Sequence, residues 1–190
     1  MNWTTLYTRS RQVPLSAAAV LVLGTAVAAL ARGGDGSSNP PLAALVITAA
    51  VAAGSIGLAG QDRDLDRTAA IRWAPRRAAH VLLLGAATAA ALLAARAAGA
   101  DLAPASLLVR DSAGLTGLAA LGAVLGGAAY AWTLPTSWLA VTLCAPIVPG
   151  RAGEVLNWTV LDPAPAASAW TAWVLAGVGT LLYAVAGPRR

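Results

Sequence analysis

The acidic and basic residues at positions 61–77 form the largest group of chemically active side chains in the sequence. Asp62, Asp64 and Asp66 alternate with other residues, two of them arginines, in the segment QDRDLDRTAAIRWAPRR. Carboxylate oxygens are ligands for hard cations, but the intervening arginines would repel a cation, so we expect no metal site. The functional interpretation is a docking surface for a cytoplasmic protein. The alternative is a solvated loop whose arginines only fix topology.

No other group of residues predicts catalysis or cofactor binding. His80 is the only histidine and Cys144 the only cysteine, which excludes an intramolecular disulfide and a CxxC motif. The sequence has no GxxxxGK[ST] phosphate-binding loop. No nucleophile lies beside a candidate base. We therefore expect no enzyme activity, no cofactor and no ATP site within this chain.

The composition places most of the chain in lipid. Hydrophobic residues make up 58% of the sequence and charged residues only 11%, whereas soluble domains carry about 25% charged residues. The mean hydropathy is +0.68. The net charge of +5 comes from 13 basic residues, all arginine. Most of them flank apolar runs, where arginines set membrane orientation. The expected partner is thus the lipid bilayer and not nucleic acid.

Six uncharged runs predict an all-α, polytopic membrane protein with a single transmembrane domain, because a span needs about 20 apolar residues. Residues 1–12 are predicted to lie at the membrane interface, and 61–77 to form a cytoplasmic loop. The fifth run is short and contains Pro146 and Pro149, so it either crosses fully or breaks within the membrane. No ionisable residue falls clearly in the middle of a predicted span. The predicted spans are 13–31, 41–60, 78–95, 112–132, 136–149 and 166–186.

The arginine distribution predicts that both termini are cytoplasmic. With the N-terminus inside, nine arginines fall in cytoplasmic segments and four in outer ones, as the positive-inside rule requires. The nine are Arg9, Arg11, Arg63, Arg67, Arg72, Arg76, Arg77, Arg189 and Arg190, and the four are Arg32, Arg96, Arg110 and Arg151. A cleaved signal peptide ending near Ala31 is the alternative interpretation of the first run. The expected location is the plasma membrane, the inner membrane of a bacterial cell.

Glycines recur at short spacing in the second and fourth predicted spans. Small residues let two transmembrane helices approach to backbone distance. The pattern therefore predicts close helix packing, either within the subunit or between subunits. The glycines concerned are Gly54, Gly57, Gly114, Gly117, Gly122 and Gly126.

Two phrases, DLDRTAAIRWAPRRAAHVLLL and VRDSAGLTGLAALGA, carry a family resemblance. With the interfacial N-terminus, the six spans and the broken segment before the last span, they resemble small permease-like subunits of type-2 ATP-binding-cassette (ABC) exporters from high-GC, actinobacterial-type bacteria. The resemblance implies that a separate ATP-binding subunit docks on the loop between spans two and three. It also implies a homodimer or heterodimer with another permease subunit. The docking role would fall on Asp62, Asp64, Leu65, Asp66 and Arg67.

A second hypothesis belongs to a different functional class. The small-residue surfaces and the scarcity of polar groups in the spans are also typical of a non-transporting membrane protein. Such a protein would be an assembly or immunity factor that acts through helix–helix contacts. The sequence names no substrate for either hypothesis.

Overall fold

The computed structural model describes residues 38–58, 73–100, 102–144, 148–164 and 166–189, and every regular element in these ranges is helical. The protein is an all-α, polytopic membrane protein. Four described helical segments are long and apolar enough to span a bilayer: Pro40–Leu58, Trp73–Ala97, Ala105–Leu125 and Ala166–Ala186. The interfacial segment 1–12, the predicted span 13–31 and most of the loop 61–77 lie outside the described residues.

The elements follow one another in a simple order. They are α1 (Pro40–Gly54, continued by a 3-10 turn at Ser55–Leu58), α2 (Trp73–Ala97), α3 (Ala105–Leu125), a 3-10 turn at Ala128–Tyr130, α4 (Thr133–Cys144), α5 (Arg151–Leu156) and α6 (Ala166–Ala186).

The start of α1 follows directly from its sequence. The Asn39 side chain accepts a hydrogen bond from the Leu42 amide at 3.1 Å. Pro40 and Pro41 occupy the first helical positions, where a missing N–H costs nothing. The Asn39 amide donates to the Leu102 carbonyl at 2.9 Å. The start of α1 therefore lies beside the connection between α2 and α3.

Helix α3 is the centre of the bundle. Most of it is buried against other helices, whereas most of α2 and α6 faces outward. It packs on α1, α2, α4 and α6, and most extensively on α6. It is also less apolar than the other three spans. A helix surrounded by protein needs less hydrophobicity than one that faces lipid, because its polar groups can find partners in neighbouring helices.

Contacts at both ends fix the directions of three helices. Arg110, near the start of α3, contacts Ser168, near the start of α6. Arg189, just after α6, donates its amide to Ala123 near the end of α3. Helices α3 and α6 are therefore parallel. Arg77, near the start of α2, lies against Gly187 beyond the end of α6, so α2 runs antiparallel to both.

Because α3 and α6 are parallel, the chain has to cross the bundle between them, and it does so through a broken segment. Helix α4 has 12 residues, a length of about 18 Å against a hydrocarbon core of about 30 Å. Gly150 then adopts φ of 80° before α5, a conformation that favours glycine. The Leu156 carbonyl, at the end of α5, accepts bonds from Trp138 Nε1 at 3.2 Å and Thr142 Oγ1 at 3.0 Å of α4.

Several predicted span boundaries differ from the helices of the structure. The third predicted span, 78–95, begins earlier, at Trp73, and the fifth, 136–149, overlaps helix α4, with residues 145–147 outside the described ranges. The fourth, 112–132, begins at Ala105 and ends at Leu125. Arg110 and Asp111, which we assigned to an outer segment, are thus inside a membrane helix and buried. Both residues lie near the start of α3 and not in its middle, and they pair with each other inside the protein and do not face lipid.

Candidate functional site

Arg110 is the centre of the most extensive buried polar contacts in the described residues. The side chain is 3% exposed. Its Nε donates to Asp111 Oδ1 at 2.8 Å, and its Nη1 donates to Ser168 Oγ at 2.7 Å. Its Nη2 donates to two backbone carbonyls, those of Trp158 and, at 2.8 Å, Leu161. These five residues are called the Arg110 cluster below. They join α3, α6 and the segment that follows α5.

The geometry of the cluster uses the whole guanidinium group. Arginine presents five N–H donors in a planar fork that remains charged when buried. All three nitrogens of Arg110 donate here, to acceptors from three parts of the chain. Its carbon Cζ also lies 6.0 Å from the centroid of the Trp158 ring, at the limit of a cation–π contact. A lysine at this position would have one nitrogen for the same acceptors.

Gly114 provides the space for the Trp158 ring. Trp158 is fully buried, and a Cβ at Gly114 would lie 2.5 Å from a carbon of its ring and 3.1 Å from Ala172 Cα. The missing side chain thus lets the ring fit between α3 and α6. Because Gly114 is one turn beyond Arg110 on α3, the same helix face binds both the carbonyl and the ring of Trp158.

The Arg110 cluster supplies hydrogen-bond donors to backbone carbonyls that lack a partner within a helix. Arg110 lies five residues after Ala105, about 8 Å along the axis of α3. Backbone outside a helix is tolerated at such a position only where protein or water meets its polar groups. Arg110 donates to the carbonyls of Trp158 and Leu161, and α4 donates to that of Leu156. The segment 156–161 is therefore held inside the bundle by side-chain donors.

Not every buried polar atom around Arg110 has a hydrogen-bond partner. Four buried polar atoms of the described residues in or beside the cluster have no hydrogen-bond partner: Asp111 Oδ2, Ser112 Oγ, Trp158 Nε1 and Thr159 Oγ1. An unsatisfied buried polar atom costs about 1–3 kcal/mol and is uncommon in native proteins. The contact between α3 and the segment 156–161 thus combines strong hydrogen bonds with unpaired polar atoms that reduce its net stability.

The predicted docking residues cannot be placed beside this cluster. Asp62, Asp64, Leu65, Asp66 and Arg67 all lie outside the described residues.

The predicted packing glycines lie at contacts inside the subunit. A Cβ at Gly117 would lie 2.6 Å from Ala176 Cα, where α3 crosses α6. A Cβ at Gly122 would lie 2.8 Å from the Ala131 carbonyl oxygen, and one at Gly126 would lie 3.2 Å from Tyr130 Cβ.

Three other glycines complete this set. Gly114 packs on Trp158, and Gly54 faces the Leu84 side chain of α2. Gly57 is buried in the 3-10 turn after α1. The close contacts recorded for these glycines are thus with neighbouring elements of the same chain.

The other candidate residues are dispersed. His80 lies in the second turn of α2, and Cys144 is exposed at the end of α4. Glu154 lies in α5, and Asp162 is exposed in the segment after it. Across the described ranges, no three histidine, cysteine or acidic side chains converge as metal ligands.

Sequence reasoning missed the Arg110 cluster, although one feature of the sequence pointed to it. Pro104 is the N-cap of α3, and prolines favour helix starts. An apolar run, Leu107-Leu108-Val109, then leads directly into Arg110. The helix start was therefore visible, but the charges were assigned to the outside. Ser168 and the carbonyls after α5 have no such sequence signature.

The chemistry of this site is recognition of backbone carbonyls by a buried cation. The cluster holds no histidine or cysteine, and its only hydroxyl, Ser168 Oγ, accepts a bond from Arg110. It is suited to holding two helices and an irregular segment together. No protein-family model, no curated protein and no solved structure matches this chain.

Proposed function

We propose that the protein is a permease-like, membrane-spanning subunit of an ABC-type exporter in the bacterial plasma membrane. A separate ATPase docks on the loop between the second and third spans and drives it. The observation that carries the proposal is the broken crossing between α3 and α6. A broken segment before the last span is one of the features that carry the family resemblance. Helix α4, with 12 residues, and α5, with 6, form such a segment.

The Arg110 cluster supports a path for motion through the subunit. The proposed docking loop leads directly into α2, which packs on both α3 and α6. Arg110 ties α3 to α6 and to the segment 156–161 at the opposite end of the bundle. Movement of α2 against α3 would therefore act on bonds that hold the irregular segment. Coupling between distant sites requires such an element with two discrete arrangements.

The packing of the glycines favours the exporter over the assembly or immunity factor. That alternative depends on small-residue faces being available to a partner. Gly114, Gly117 and Gly122 instead contact Trp158, α6 and Ala131 of the same chain. The outward faces of α2 and α6 carry large exposed side chains such as Leu82 and Trp173. These faces suit lipid or a second permease subunit better than glycine-mediated contact.

The direct test is purification of the tagged protein from its native membrane in a mild detergent. We expect ATP hydrolysis in the purified material and a co-purifying chain that contains a GxxxxGK[ST] loop. Reversing two loop charges, with Asp64→Arg and Asp66→Arg together, should abolish both, because the docking surface would lose its acidic groups.

The matched control reverses two charges on the proposed outer side, with Glu154→Arg and Asp162→Arg. These residues lie in and after α5, so this variant should retain the ATPase. Absence of any ATPase from the wild-type preparation would refute the proposal. Equal loss in the loop variant and the control would refute docking on this loop.

A further inference from the structure

A groove runs between the antiparallel helices α2 and α6, and α3 forms its floor. Val81, Gly85 and Ala89 line one wall, and Trp173 and Thr180 lie on the other. The cavity has a volume of about 180 Å³. The three residues on α2 are spaced four apart, so they lie on one face of the helix. The groove thus extends about 12 Å along the helix axis.

Two arginines of α2 lie just beyond one end of the groove. Arg77 precedes Val81 by one turn on the same face of α2, and its guanidinium lies against Gly187, beyond the end of α6. Arg76 is exposed, with its Cζ 5.7 Å from the centroid of the Trp73 ring. An aromatic ring beside an arginine at the end of a span is typical of the level of lipid headgroups. No acidic residue lies in the described part of α2 or α6.

The remainder of the groove is apolar and opens outward. Leu82 is 62% exposed and Trp173 is 51% exposed, and both residues line the groove. They belong to two spans whose surfaces mostly face outward, which in a membrane protein means hydrocarbon or another membrane protein. An apolar groove between spans, with two arginines of α2 about one turn beyond its lining residues, matches a molecule with an acyl chain and an anionic headgroup. Basic pockets between transmembrane helices bind such headgroups.

We propose that this groove binds an anionic phospholipid, with the phosphate at Arg76 and Arg77 and one acyl chain between α2 and α6. The site is independent of the exporter function, because it depends only on the described helices and their position in a membrane. A bound lipid would fill the space between α2 and α6 along the floor formed by α3. It would therefore act as a structural ligand of the bundle.

The experiment is native mass spectrometry of the full-length protein in detergent, titrated with dioleoylphosphatidylglycerol or dioleoylphosphatidylcholine. The acyl chains are identical, so only the headgroup charge differs. We expect a roughly thirtyfold preference for phosphatidylglycerol, the factor for two arginines near a membrane surface. The double substitution Arg76→Gln and Arg77→Gln should reduce that preference to below about threefold, because it weakens binding of phosphatidylglycerol more than binding of phosphatidylcholine, whose choline offsets the phosphate charge. Phosphatidylcholine binding that remains measurable would also show that the double variant is folded.

The groove itself is tested with a pair of neighbouring alanines on α2. Ala86 lines the groove, whereas Ala87 is exposed and does not. Ala86→Leu should weaken the binding of both lipids at least tenfold, and Ala87→Leu should leave the binding of both unchanged. Equal binding of the two lipids by the wild type would overturn the charge recognition. The assignment of the lipid to the groove would be overturned if Ala86→Leu and Ala87→Leu had equal effects. It would also be overturned if the protein formed a lipid-free dimer whose subunits cover the groove.

Discussion

Replacing Arg110 with methionine tests whether one buried cation holds the irregular segment inside the bundle. Methionine is unbranched and flexible, so it fills most of the space of the arginine stem. The substitution leaves Asp111 buried without its partner and removes the donor from the carbonyls of Trp158 and Leu161. Removing one member of a buried ion pair costs about 3–5 kcal/mol, and each stranded carbonyl adds to it. We expect Arg110→Met to lower the free energy of unfolding by at least about 4 kcal/mol.

A second substitution separates the cost of the unpaired Asp111 charge from the cost of the two carbonyls that lose their donor. In the double variant Arg110→Met with Asp111→Leu, no charge remains buried, and apolar replacement of a buried ion pair is often close to neutral. The carbonyls of Trp158 and Leu161 still lack a donor, which should leave a cost of about 2 kcal/mol. The double variant should therefore be more stable than Arg110→Met and less stable than the wild type. Arg110→Lys should fall between the same limits, because one ammonium group cannot reach all four acceptors.

The assay is equilibrium unfolding in mixed micelles with increasing dodecyl sulfate, followed by tryptophan fluorescence. A second measurement reports on the segment directly: Asn157→Cys, in a Cys144→Ala background, is labelled with a water-soluble maleimide. Labelling should accelerate in Arg110→Met as the segment leaves the bundle. Arg151→Met is the control, because Arg151 is exposed on α5. The reasoning fails if Arg110→Met stays within about 1 kcal/mol of the wild type or if the double variant is the least stable.

Two further substitutions test the packing of α6. Gly117→Ala should destabilise the bundle by about 2 kcal/mol or more in the same unfolding assay, because its Cβ would lie 2.6 Å from Ala176 Cα and the backbone cannot yield cheaply. Gly177→Ala, on α6 beside Ala176, adds a Cβ that meets nothing within 4 Å and should cause no loss of stability. Equal effects of the two substitutions would mean that α3 and α6 do not approach at Gly117. Tyr183→Phe removes the 2.7 Å bond from the buried hydroxyl to the Leu58 carbonyl and should cost about 1 kcal/mol, whereas an unchanged midpoint would show that this bond is not formed in the membrane.

The sequence predicted the transmembrane class well because the hydropathy of a helix depends on whether its surface faces lipid or water. Helices α2 and α6 face outward over most of their surface, so the composition of each span reflects lipid. The same rule misplaced the start of α3. Its charges do not meet lipid, since Arg110 and Asp111 bond to each other and Arg110 also bonds to residues about 50 positions away. One-dimensional hydropathy cannot distinguish a charge that ends a span from one that is buried within a bundle.

The glycine pattern and the prolines were informative in the same limited way. Glycine spacing predicted close helix approach, and Gly117 does lie where α3 crosses α6. The pattern could not identify the helix that approaches, because any small-residue face allows close approach.

Pro146 and Pro149 predicted that the fifth span either crosses fully or breaks. They could not predict that Trp138 and Thr142 would donate to the Leu156 carbonyl, since that pairing depends on how the chain returns after the break.

The burial of Arg110 also strengthens the argument for orientation. In the sequence it counted among the outer arginines, but it is buried inside α3 and bonded within the protein, so it is not a loop arginine of the kind that sets orientation. The bundle ends then hold unequal numbers of described arginines, and the majority lies where α2 begins and α6 ends. Arg76, Arg77 and Arg189 lie at that end, and Arg96 and Arg151 lie at the other. Arginine excess marks the cytoplasmic side, so the end of α6 and the loop before α2 should both be cytoplasmic. Both can share one side only if α4 and α5 together return the chain across the membrane, although neither is long enough to span it alone.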